Sequence, residues 1–182
     1  MAGLKLRLML AGLRLAGRKR GLKDLFRLTS EAFGQEPPDL HGLSRAGILL
    51  NYARFTRAAA ERSLAAGTAD AVREKLRERS RRLGREIRSR LPIRSRAGEA
   101  AALRALYRML AIDLAVDARG GVTVRRCSLA PCYPPEVCRF MSAMDEGIVA
   151  GLSDGRLVFS ERLTEGAACC HARIAWPEGN HE

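Results

Sequence analysis

No cysteine occurs before residue 127, and no apolar run reaches 18 residues. The second absence excludes a spanning helix, which needs about 20 consecutive apolar residues. The first confines any thiol chemistry to the last third of the chain. Aromatic residues make up only 5% of the sequence, so a core has to be built from Leu, Ala, Ile and Val, a composition that suits helices. Neither a Walker A loop, a G-x-G-x-x-G turn nor an H-E-x-x-H helix occurs, which removes the usual phosphate, dinucleotide and zinc-protease signatures.

Acidic residues are also short, and unevenly so. Residues 1–96 carry 23 Lys and Arg against 9 Asp and Glu, or +14; residues 97–182 carry 9 against 11, or −2, giving the whole chain +12. Any attraction to nucleic acid or to an anionic surface therefore belongs to the first part, above all to residues 71–96. That stretch lacks interleaved aromatics and a GxxG loop, and a solvated charged face is an equal reading of it. The opening segment, MAGLKLRLMLAGLRLAGRKRGLK, is basic and leucine-rich. Arg14 cuts its apolar run short and no clear small-residue cleavage site follows, so an amphipathic surface helix, or an upstream extension from a mis-chosen start codon, is expected in place of a signal peptide.

At 182 residues the chain has room for one sizeable core. The division expected is a basic helical region over 1–96 and a cysteine-containing region over 97–182, joined as one continuous domain. Leu22, Leu25, Phe26 and Phe33 predict a short helix before the loop GQEPPDLHG. Ser44 offers an N-cap for a helix reaching about Ala66, where Gly67 stops it. Thr68 or Asp70 can cap a third helix, in which Val72, Leu76, Leu83 and Ile87 form the apolar face. Ala102, Leu106, Leu110 and Leu114 recur every fourth position and predict a fourth helix from Glu99 to about Val116.

Beyond the ARGG turn the pattern changes. VTVRRC, RLVFSERL and ACCHARIAW alternate as strands, and a helix is expected from Pro135 to about Leu152. The fold class is therefore α+β: an N-terminal helical region followed by a small antiparallel sheet packed with one or two helices.

The helix after Pro135 is the most informative element. At 100° per residue, Val137, Met141, Met144 and Ile148 form an apolar stripe, with Cys138, Ser142 and Asp145 along its edge. Cys138 and Asp145 lie about 10 Å apart along the axis at ~1.5 Å per residue, able to border one cleft. The plain alternative is a small buried cysteine beside a solvated aspartate. Cys127, Cys132 and Cys138 read C-x4-C-x5-C, and with Cys170 and His171 they are candidate ligands of a tetrahedral divalent metal such as zinc. The odd count of five and the adjacency of Cys169 and Cys170 argue against a disulfide framework and for reduced thiols in a cytoplasmic protein. His171 faces away from Cys170 on a strand and shares a face with Cys169.

Taken together, the segment from Arg125 to Ile174 resembles the L-2-amino-thiazoline-4-carboxylic acid hydrolase family. The carrying features are Cys127 after a strand, EVCR at 136–139 opening a helix, Asp145 with Glu146, and Glu165, Gly166, Cys170 and Arg173 in the last hairpin. The likeness covers under a third of the chain. It implies hydrolytic opening of a small cyclic amidine-like thiazoline carboxylate, that is, hydrolysis at a non-peptide C–N bond. The family pattern has a second cysteine three residues before the aspartate, where this chain has Ser142.

In such a reaction Asp145 would act as general base, Cys138 or Cys170 as nucleophile or ligand, and Arg139 or Arg173 would bind the substrate carboxylate, with Ser142 beside them. The order of helix, hairpin and terminal cysteine also looks like the 4-vinyl reductase domains, which implies a non-enzymatic small-molecule or metal sensor.

Overall fold

The computed structural model describes residues 18–177. Most of the opening basic segment lies outside the described residues. Helix α1 (Arg18–Ala32) buries Leu22, Leu25 and Phe26. Helix α2 (Arg45–Ala65) starts where Ser44 Oγ accepts the Gly47 amide at 3.1 Å. Helix α3 (Ala69–Arg90) has Thr68 at its N-cap position, but the Thr68 hydroxyl donates to the Ser63 carbonyl instead of capping. Helix α4 (Arg96–Met109) is capped by Ser95, whose Oγ accepts the Gly98 amide.

The predicted fourth helix runs too far. Its last four residues form strand β1 (Asp113–Val116), and the helix is broken at Ala111, which takes a φ of 54°. Leu114 satisfies both a four-residue and a two-residue repeat, and pairing decides between them: it sits opposite Val124 of β2 (Gly121–Arg126). Strands β3 (Arg156–Glu161) and β4 (Cys170–Ala175) complete a fully antiparallel sheet in the order β1-β2-β4-β3. The α+β class is thus the observed one. No helix among the described residues is long and apolar enough to cross a membrane.

Helix α5 (Pro135–Ser153) organises the molecule. Val137, Phe140, Met141 and Met144 in its first half pack with Phe26, Ile48, Tyr52 and Leu76 of the helices. Ile148, Val149 and Leu152 in its second half pack with Leu103, Val122, Leu157 and Ile174 around the sheet. Asp145 lies at the changeover between these two apolar clusters.

Helix α3 crosses α5 at backbone distance, because Gly147 and Gly151 of α5 meet Gly84 and Ser80 of α3. A Cβ at Gly84 would lie 2.7 Å from the Ile148 carbonyl oxygen, and one at Gly151 would collide with the Arg81 carbonyl. Small residues spaced four apart remove the side chains that otherwise hold two helices 8–10 Å apart. Residues of the basic region and of the cysteine region consequently pack together in both apolar clusters. Arg77 bridges them a second time, donating from Nη2 to Glu146 Oε2 at 2.8 Å.

Candidate functional site

Between the two apolar clusters the fold leaves a cavity of about 110 Å³. Its wall draws on several elements: Tyr107 of α4, Cys127 just after β2, Cys138, Ser142 and Asp145 of α5, Arg162 just after β3, and Cys170 of β4. The remaining lining is largely apolar, including Leu110, Met141, Met144 and Phe159. An apolar hollow with a few convergent polar groups is the usual form of a small-molecule site.

Asp145 is the polar centre. Tyr107 donates its phenol proton to Asp145 Oδ1 at 2.5 Å. Burial pushes the carboxyl up to about 6, against the lowering effects of the Tyr107 hydrogen bond and the nearby Arg162 guanidinium; Glu146 raises it a little further. Tyr107 is itself held well above the ordinary phenol range, first by burial and then by the adjacent carboxylate. Arg162 is fixed from three sides. Its Nη1 donates to Ser142 Oγ at 2.8 Å, its Nε lies 3.9 Å from Glu165, and its guanidinium stacks 4.1 Å from the Phe159 ring centre. Ser142 in turn donates to the Cys138 carbonyl at 2.9 Å, so the hydroxyl links the helix backbone to the arginine.

The thiols differ among themselves. Burial pushes Cys127 up to about 11, the Leu129 and Ala130 amides opposing it and Asp145 adding to it. Cys170 is buried, accepts the Leu163 amide at 3.3 Å, and is likewise raised by burial. Both are therefore protonated near neutral pH and weak nucleophiles. Cys138 is half-buried in the first turn of α5.

The structure brings Cys138, Ser142, Asp145, Cys170 and Cys127 to one cavity and leaves the two arginines expected from sequence outside it. Arg139 is exposed and paired with Glu165 at 2.5 Å. Arg173 is exposed on β4, between inward-facing Ala172 and Ile174. The cation at the site is Arg162 instead. Cys132 packs at the edge of the helical cluster, and its carbonyl accepts from Arg57. His171 projects from the opposite face of β4 to Cys170. Among the described residues no three His, Cys, Asp or Glu side chains are placed to hold a metal ion. The expected zinc-like centre of Cys127, Cys132, Cys138, Cys170 and His171 therefore has no converging donor set there.

Residues 151–155, GLSDG, fit the G-x-S-x-G spacing of a nucleophile elbow. The context is wrong for one: Ser153 is buried at the end of α5, donates to the Val149 carbonyl and accepts the Gly155 amide. A nucleophilic serine of that type stands exposed on a strand-to-helix turn. Comparison with family models, with curated proteins and with solved structures returned no match to the chain.

Proposed function

We propose that this cavity binds a small cyclic amidine carboxylate of the thiazoline type and opens its ring by hydrolysis, with Asp145 as the general base. The observation that carries the reading is the pairing of a buried carboxyl, raised to about 6, with a fixed arginine in one small hollow. A carboxylate poised near the working pH is an effective base, and a perturbed carboxyl in a cleft is a recognised mark of function.

In this reaction Arg162 holds the substrate carboxylate, using donors left over from its contacts with Ser142 and Glu165. Asp145 removes a proton from water as its oxygen adds to the ring carbon bearing the amino group. The π pair of the ring C=N bond moves onto the ring nitrogen, which takes the proton carried by Asp145. Collapse to a carbonyl then breaks the bond from that carbon to the same nitrogen, and the adduct's hydroxyl proton passes through Asp145 to the departing amine. Tyr107 orients the carboxylate through its hydrogen bond. Cys138 is the thiol for an alternative attack by sulfur, while Cys127 and Cys170 act as apolar wall.

The assay is ring opening of 2-amino-thiazoline-4-carboxylate by wild type, Asp145→Asn, Arg162→Met and Cys138→Ser. Loss of at least about 100-fold in kcat for Asp145→Asn is the scale of a missing general base, with Arg162→Met raising KM instead. Turnover unchanged by Asp145→Asn sinks the assignment.

The largely apolar lining also suits a ligand-binding module without turnover. Saturable binding of the same compound with no product would select that reading. Within residues 71–96, Arg73, Arg77, Arg79, Arg82, Arg88 and Arg90 pair with carboxylates of the chain, so nucleic-acid binding there would draw chiefly on the remaining basic residues and would weaken steeply with salt.

A further inference from the structure

On the sheet face turned away from the cavity, Cys169, His171 and Glu161 form a second constellation. The two-residue repeat of β4 sends Cys170 inward and His171 outward, and Cys169 stands beside the imidazole with its Sγ 3.1 Å from Nε2. A register shift between Phe159 and Glu161 sets Glu161 opposite His171, and Glu161 Oε2 lies 3.9 Å from Nε2. Bulges of this kind re-aim a side chain. Sequence spacing already made Cys169 and His171 the pair that shares a face, and the proposed ring-opening chemistry uses neither.

From this placement we infer that Cys169 is a surface modification site that forms mixed disulfides with low-molecular-weight disulfides, His171 acting as its base. In the exchange, neutral His171 Nε2 takes the thiol proton as the Cys169 sulfur attacks one sulfur of the reagent. The reagent S–S bond breaks, a new S–S bond forms at Cys169, and the departing thiolate is protonated by His171. Cys169 is oxidised and half of the reagent disulfide is reduced, so no further oxidant enters. Glu161 steadies the imidazolium that exists between the two proton transfers. A nucleophile with its base in hydrogen-bond reach and a third group nearby is the general pattern of an activated thiol.

The four other cysteines lack this base. Cys127 and Cys170 are raised by burial, Cys138 lines the cavity, and Cys132 packs at the edge of the helices. Exposure alone does not single out Cys169, since it is half-buried like Cys127, Cys132 and Cys138. The neighbouring base does.

The test uses the full chain with oxidised glutathione at pH 7.5, acid quenching and peptide mass mapping over time. Cys169 is expected to react first, at least about tenfold faster than Cys132 or Cys138, a threshold set below the about 100-fold at which a positioned base's usual contribution begins. His171→Ala should slow Cys169 by about tenfold with an unchanged far-UV spectrum, and Cys169→Ser should remove the fast phase. Earlier labelling of another cysteine, or a Cys169 rate indifferent to His171→Ala, overturns the inference.

Discussion

Replacing Asp145 by Asn should stabilise the protein relative to wild type as the pH rises, because the carboxylate is held where its charged form is disfavoured. Its folded value of about 6 lies above the ordinary 3.8. Between those values the folded chain binds more protons than the unfolded one, so this group's contribution to stability is complete below pH 3.8 and is lost as pH rises through about 6. At 1.36 kcal/mol per pH unit the difference amounts to about 3 kcal/mol. The variant keeps an oxygen acceptor for Tyr107 but adds an amide NH2 that wants a partner, a pH-independent cost of about 1–3 kcal/mol.

The quantity to follow is therefore the stability of Asp145→Asn minus that of wild type, from urea melts between pH 4 and pH 8. It should climb by about 2.5 kcal/mol over that range, the rest of the change falling below pH 4, and level off above about pH 7, whatever its starting offset. A flat difference, or one that falls with pH, would refute the reasoning, since it would mean that the carboxyl titrates at its ordinary value or that its charge is fully compensated.

Tyr107→Phe removes a hydrogen bond that lowers Asp145, so the upper end of that climb, and the midpoint of the Asp145 carboxyl carbon shift in an NMR titration, should move above 6. Gly151→Ala puts a methyl against the Arg81 carbonyl, which as backbone cannot yield; overpacking of about 1–3 kcal/mol should lower Tm by about 2–4 °C per kcal/mol. Leu76→Ala, at a fully buried position between α3 and its neighbours, should cost about 2–5 kcal/mol in a denaturant melt. Cys127, pushed up to about 11, should resist iodoacetamide at pH 8 in the folded protein and react readily in urea.

Much of the fold was legible because its signals are local. Ser44 caps a helix through its own hydroxyl and Pro135 opens α5, as expected, whereas Ser95 starts α4 at Arg96, three residues ahead of the expected Glu99. The two-residue repeat of β4 sorted Cys170 from His171. Where a local pattern was ambiguous, tertiary pairing decided. Leu114 fitted a helical stripe, and the cross-strand partner Val124 made it a strand residue. The α3–α5 crossing rests on Gly84, Gly147 and Gly151, whose meaning depends on which helix comes near, and no single segment encodes that.

The same limit applies to the site. Cys138, Ser142 and Asp145 share a helix edge and could be grouped by spacing, but Arg162 and Tyr107 reach them from other elements. Arg162 follows β3 directly and leads into the Leu163–Glu165 turn, and only the fold brings it over Phe159 and to the helix edge. Arg139 and Arg173 stood nearer in sequence to the residues of interest and proved to face outward.

The most direct test of the central claim is the pH dependence of kcat/KM for ring opening of 2-amino-thiazoline-4-carboxylate. A general base must be ionised to work, so activity should rise through an apparent midpoint near 6, matching Asp145, and Asp145→Asn should abolish both the rise and most of the rate. Turnover that persists in Asp145→Asn with the same midpoint, or wild-type protein that binds the compound and never opens it, would contradict the account.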